Sequence, residues 1–168
     1  MSRRLRLLEY LIKFNALLLW GGLGMRLLWL FFLIAMPVGA AADIVGQGRN
    51  VMDGDTFDMR LPDGIVKVRI CGIDAPESGD PGSKEAWAKL SELVHGKTVS
   101  CVQVNAAPGT VCDGRSKATN RDRIVAQCFV DGRDIAAELV RSGVACDWAK
   151  FSGGHYQRVA GGRVCSRN

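Results

Sequence analysis

The sequence predicts an α+β domain, and three observations predict it. Apolar and polar residues alternate from Val51 to Ile70, the period lengthens to that of a helix between Ser83 and His95, and two further β-rich runs, 98–104 and 124–130, precede a second helical stretch. Alternation sends successive side chains to opposite faces of a strand, whereas spacings of three and four gather them along one side of a helix.

The elements follow in chain order. A short first strand is expected around residues 44–46. Phe57, Met59 and Leu61 then mark one strand and Val66, Val68 and Ile70 the next. Pro62, Asp63 and Gly64 between them supply a fixed φ, a turn-forming side chain and a residue tolerant of positive φ, so the two runs fold back as a hairpin. Ser83 as N-cap and Gly96 as terminator bound a helix whose apolar stripe is Ala86, Trp87, Leu90, Leu93 and Val94. Pro108, Gly109, Asp113, Gly114 and Arg115 make the stretch between the next two strands a long polar loop. Asp134 caps a second helix with Ile135, Ala136, Leu139 and Val140 as its buried face, and Gly143 ends it. Glycines at 153, 154, 161 and 162 exclude a long regular helix beyond Trp148, so an irregular tail is expected. Five short strands with two main helices suit a partly open, five-stranded Greek-key β-barrel of the OB type.

The chain has 168 residues and a formal charge of +5. Residues 1–42 read as an N-terminal leader: Arg26, the apolar run 27–36 and the small residues Gly39, Ala40, Ala41 and Ala42 are the three parts of a secretory signal. Arg3, Arg4, Arg6, Lys13 and a second apolar stretch at 16–20 make it long, and Met25 is an alternative start. An uncleaved anchor needs about 20 apolar residues, more than the run supplies, so the membrane is a partner only if the leader is retained. Without the leader the domain is 43–168, 168 − 42 = 126 residues, one core's worth. Its charge is then 17 − 16 = +1, so attraction to polyanions rests on a local cluster of cations rather than on net charge. Six cysteines, all after residue 42, suggest disulfides in an exported, periplasmic or extracellular protein. They allow 15 connectivities, and Cys71, inside an expected core strand, can also be a buried thiol.

Two acidic clusters carry the chemistry: Asp53-Gly54-Asp55-Thr56 and Asp74-Ala75-Pro76-Glu77, with Arg69 on the strand leading to the second. Carboxylates at strand ends can hold a hard cation through oxygen. Taken alone, Asp-Gly-Asp is an ordinary turn with solvated acids, and Phe57 in the third ligand position excludes an EF-hand loop. The conjunction is more specific. Asp53-Gly54-Asp55-Thr56-Phe57, Val68-Arg69-Ile70-Cys71-Gly72-Ile73-Asp74-Ala75-Pro76-Glu77, Asn120-Arg121-Asp122-Arg123-Ile124-Val125-Ala126, and Asp131-Gly132 through Glu138-Leu139-Val140-Arg141-Ser142-Gly143-Val144-Ala145 together resemble the staphylococcal nuclease (thermonuclease) family over about residues 44–148.

The resemblance implies a calcium-dependent endonuclease hydrolysing DNA and RNA with low sequence specificity, by in-line attack of water with the 5′ oxygen leaving and 3′-phosphate ends. By position, Asp55 and Asp74 match the carboxylate ligands of Ca²⁺ and Ala75 a ligand that acts through its backbone carbonyl. Glu77 matches the acid that orients or deprotonates the attacking water. Arg69 and Arg123 match the arginines that grip the phosphate, a task suited to a planar, permanently charged fork. Asp53 matches an acid beside the metal whose contribution is secondary. Oxygen ligands also suit Mg²⁺ or Mn²⁺.

Departures from the family pattern concern the nucleotide. Arg121-Asp122-Arg123 stands where an aromatic-Gly-Arg run is usual, and Ala149 stands at a second aromatic position, flanked by Trp148 and Phe151. A loop insertion over 105–117 and a short glycine-rich tail alter the rim. The alternative function is a single-strand nucleic-acid-binding module that has kept the barrel without turnover. No protein partner is implied, and a monomer is expected.

Overall fold

The computed structural model describes residues 43–106 and 109–166. The expected leader and Pro108 lie outside them. Five long strands close a barrel: β1 (Ile44–Val51), β2 (Thr56–Leu61), β3 (Gly64–Ile70), β5 (Thr98–Gln103) and β7 (Arg123–Val130). Their neighbour order is β3-β2-β1-β5-β7, antiparallel throughout, and a parallel β3–β7 pairing (Val68↔Ile124, Arg69↔Val125, Ile70↔Ala126) joins the two ends. The barrel is therefore closed rather than partly open, and no long edge is left unpaired.

Short pairings finish the frame. β4 (Ile73–Asp74) pairs with β9 (Cys146–Asp147), β6 (Thr119–Asn120) forms a tight hairpin with β7, and β8 (Arg133–Asp134) also pairs with β7. Phe57 and Met59 from β2, Val68 and Ile70 from β3, and Val99 and Cys101 from β5 fill the interior, each no more than 1% exposed. They are the inward half of the alternation that predicts the strands. β1 runs to Val51, well past the expected 44–46, because its solvent-facing Gln47, Arg49 and Asn50 conceal the pattern. At Gly48 a Cβ would come within 2.3 Å of the Val94 carbonyl, so only glycine lets the end of the first helix approach β1 this closely.

That helix, α1 (Ser83–Val94), begins at the residue expected to cap it: Gly82, at φ 87°, is the N-cap, no side chain caps the turn, and Ser83 is already helical. Ala86, Leu90, Leu93 and Val94 are buried as expected, but Trp87 is 47% exposed. α2 (Ile135–Arg141) has the expected cap, with Asp134 Oδ1 accepting the Ala137 N–H at 3.2 Å.

The tail departs from the irregular segment expected. It forms two short helices, α3 (Ala149–Ser152) and α4 (His155–Ala160), and the glycines act as their punctuation: Gly153, Gly154 and Gly161 all have φ between 64° and 75° at helix ends. Tyr156 of α4 is fully buried, and Asp147, also fully buried, accepts hydrogen bonds from Ser152 Oγ and the Gln157 N–H. These contacts hold the tail against the barrel.

Every cysteine is paired: Cys71–Cys112, Cys101–Cys128 and Cys146–Cys165. Cys71 is thus a bridge and not a lone buried thiol. Its partner comes from the 105–117 loop, where Asp113 accepts N–H bonds from Asn105, Gly109 and Thr110 and draws the loop into reach.

Candidate active site

The site assembles where the β1–β2 turn, the end of β3, β4 and the start of β7 meet. The Asp53-Gly54-Asp55 turn is tied off by Met52 N–H to the Thr56 carbonyl and by Asp55 N–H to Asp53 Oδ1, 2.9 and 3.0 Å. Gly54 is required by packing. A Cβ there would lie 2.5 Å from Ala86 Cβ and 2.6 Å from Ala75 Cβ, so the turn sits directly on α1 and on the second acidic cluster.

This contact delivers Asp55 to Asp74. Asp55, 5% exposed, accepts the Ala75 N–H at 3.3 Å on Oδ2 and the Thr56 hydroxyl at 3.1 Å on Oδ1. Arg69 lies between the two acids: Nη1 pairs with Asp55 Oδ2, and Nη2 is 3.7 Å from Asp74 Oδ1. The guanidinium also donates to the carbonyls of Ile70 and Ile73 at 3.4 and 3.3 Å. Arg123 arrives from β7 and donates from Nη1 to Thr56 Oγ1 at 3.1 Å. Thr56 therefore links Asp55 to Arg123 through one hydroxyl. It is the site residue that sequence reasoning passed over, although it follows Asp55 directly in the motif.

Glu77 is exposed on the turn after β4, where its carbonyl accepts the Asp80 N–H. Asp53 serves the turn and lines a neighbouring cleft. Asp122, at the glycine position of the resembling family, pairs with Lys67 instead.

Two carboxylates, one from the turn before β2 and one from β4, converging on one cation form an oxygen donor set that suits a hard divalent metal. Asp74 also lies beside Cys146 and Cys165, but both sulfurs are held in a disulfide and offer no thiolate to a metal.

Burial pushes the Asp55 carboxyl up to about 7, against the pull of Arg69 and with a further push from Asp53. The folded chain thus keeps a proton on Asp55 that the unfolded chain has released above about pH 4. The stability associated with that proton is present below pH 4 and is lost as pH rises through 7. In chelator, the urea midpoint is expected to fall between pH 5 and pH 8 and to flatten in Asp55→Asn; equal slopes in the two proteins would refute this assignment.

Comparisons with known proteins identify the family. The family model described as "Staphylococcal nuclease homologue" matches residues 67–160, more than half of the chain. The chain belongs to the staphylococcal nuclease family. It is 28% identical over 122 residues to an uncharacterized endonuclease of Escherichia coli, covering 72% of this chain and 71% of that protein. It is 30% identical over 108 residues to a micrococcal nuclease of Shigella flexneri, covering 56% of this chain and 60% of that one. The protein is accordingly a nuclease of the staphylococcal nuclease family, and its substrates are nucleic acids. The family match starts at Lys67, so Asp53 to Thr56 join the site through the contacts of Asp55 with Arg69 and Ala75.

Proposed function

We propose that the protein is a calcium-dependent endonuclease that hydrolyses DNA and RNA with low sequence specificity, working as residues 43–168 after loss of the 1–42 leader. The convergence of Asp55 and Asp74 on a single positive centre carries this reading. Asp55, Asp74 and the carbonyl of Ala75 would hold the cation, and calcium bound there supplies positive charge to the phosphate and a place for a water.

The chain's own residues do the rest. Arg69 and Arg123, on paired strands β3 and β7, meet the phosphate from a rigid base and offset the charge that builds on its oxygens in the pentacoordinate transition state. Thr56 orients Arg123. Glu77, reachable from solvent, accepts the proton of the attacking water as the water oxygen bonds to phosphorus and the 5′ oxygen departs. The phosphate is the group recognised, so sequence preference is low. Three disulfides suit an oxidising compartment outside the cytoplasm. Among the described residues no helix is long and apolar enough to cross a membrane.

The test is cleavage of single- and double-stranded DNA and of RNA by the purified protein in calcium and in chelator. Cleavage is expected in calcium alone. Glu77→Gln is expected to lower kcat by about 10²- to 10⁴-fold while calorimetric calcium affinity stays near that of the parent. Loss of calcium binding in Glu77→Gln would move Glu77 into the ligand set. Binding of single strands without cleavage in calcium, magnesium or manganese would make the protein a binding module.

A further inference from the structure

Beside the candidate site lies a cleft of about 350 Å³ that the proposed chemistry does not use. One wall is the first turns of α1, through Ser83, Lys84 and Trp87; the other includes Asp53 and Pro76. Asp53 stands two residues from Asp55, and Pro76 lies between Ala75 and Glu77, so the segments that carry the acidic clusters also supply part of the cleft wall.

Its chief feature is Trp87. The ring sits on a helix whose inward residues Ala86 and Leu90 are fully buried, yet 47% of its own surface meets solvent. It is also held in place, because the indole N–H donates to the Val51 carbonyl at 2.9 Å. A fixed aromatic ring in a cleft is a stacking platform that costs little conformational entropy to use. Lys84, exposed and three residues before Trp87, lines the same cleft and lies on the same side of the helix. A planar ring beside a cation is the combination that binds a nucleotide. At the two positions where the family pattern expects an aromatic, this chain has Arg121 and Ala149.

We propose that Trp87 and Lys84 form a nucleotide subsite next to the scissile phosphate, in which an unpaired base stacks on the indole and a neighbouring phosphate meets the ammonium. The subsite deepens the nuclease reading above and rests on it for the occupant. Only an unpaired base can stack there, so the subsite favours single-stranded substrate.

The test compares wild type, Trp87→Ala and Trp87→Phe. Steady-state cleavage is measured on a dinucleotide and on a long deoxythymidine oligonucleotide in calcium, and fluorescence anisotropy of the labelled oligonucleotide is titrated in chelator. In Trp87→Ala the KM for the oligonucleotide and its dissociation constant are expected to rise about tenfold, the worth of one stacked base, with a much smaller change on the dinucleotide. Trp87→Phe keeps a ring and loses the bond to Val51, so it is expected to recover most of the affinity. Equal effects on both substrates, or no effect on oligonucleotide affinity, would overturn the subsite. A Trp87→Phe defect as large as that of Trp87→Ala would do so too, by assigning Trp87 to the fold. A wild type that cleaves nothing yet shows the Trp87-dependent affinity would retain the subsite and overturn the nuclease reading instead.

Discussion

Arg123→Ala is expected to lower kcat by about 10³-fold on every nucleic-acid substrate, the usual effect of removing one preorganised donor from a phosphoryl transition state. The guanidinium is held in place by Thr56, which ties it to Asp55. It is also only partly buried, so its loss leaves no cavity in the core. Thermal unfolding of Arg123→Ala should therefore stay within a few degrees of the parent, which separates a catalytic defect from a folding one. Thr56→Val provides the graded comparison: it keeps the volume, breaks the link between Asp55 and Arg123, and should cost less than Arg123→Ala. A kcat for Arg123→Ala within tenfold of wild type would remove Arg123 from the transition state.

Reduction of the three disulfides is expected to unfold the protein at physiological temperature and abolish cleavage. The bridges span 41, 27 and 19 residues, and each contributes about 2–4 kcal/mol. Their sum is comparable with the whole stability of an ordinary domain, about 5–15 kcal/mol. Their placement adds to the effect. Cys101–Cys128 joins directly opposed residues of β5 and β7 inside the barrel. Cys71–Cys112 anchors the loop insertion two residues past Arg69, and Cys146–Cys165 ties the tail to β9, the partner of the strand that carries Asp74. Far-ultraviolet circular dichroism and cleavage, followed with and without a thiol reductant, make the measurement. Full activity in the reduced protein would show that packing alone holds the barrel.

The hairpin of β2 and β3, both main helices and the Asp134 cap were legible in the sequence because each is written in local chemistry. Alternation, helical spacing, Pro62-Asp63-Gly64 and an N-cap acid need no knowledge of distant residues. The extent of β1 and the helices of the tail were not, since polar outward residues hide a strand that is buried on one face only. Short glycine-bounded helices, for their part, depend on tertiary anchors such as Tyr156 and Asp147. Spacing places Trp87 on the buried stripe because it does not distinguish a helix's core face from its edge. Three-dimensional packing turned the ring outward and bound its N–H to Val51.

The sequence by itself determined the α+β class and, through four ordered blocks, the family resemblance and the candidate residues Asp55, Arg69, Asp74, Ala75, Glu77 and Arg123. The tertiary structure alone decided which cysteines pair, that β3 and β7 close the barrel, that Thr56 joins Asp55 to Arg123, and that a rigid tryptophan faces the cleft. The physical reason is separation along the chain. Motif identity is a property of neighbouring residues, whereas Asp55 meets Ala75 from 20 residues away and Thr56 meets Arg123 from 67, distances that only a closed barrel brings together.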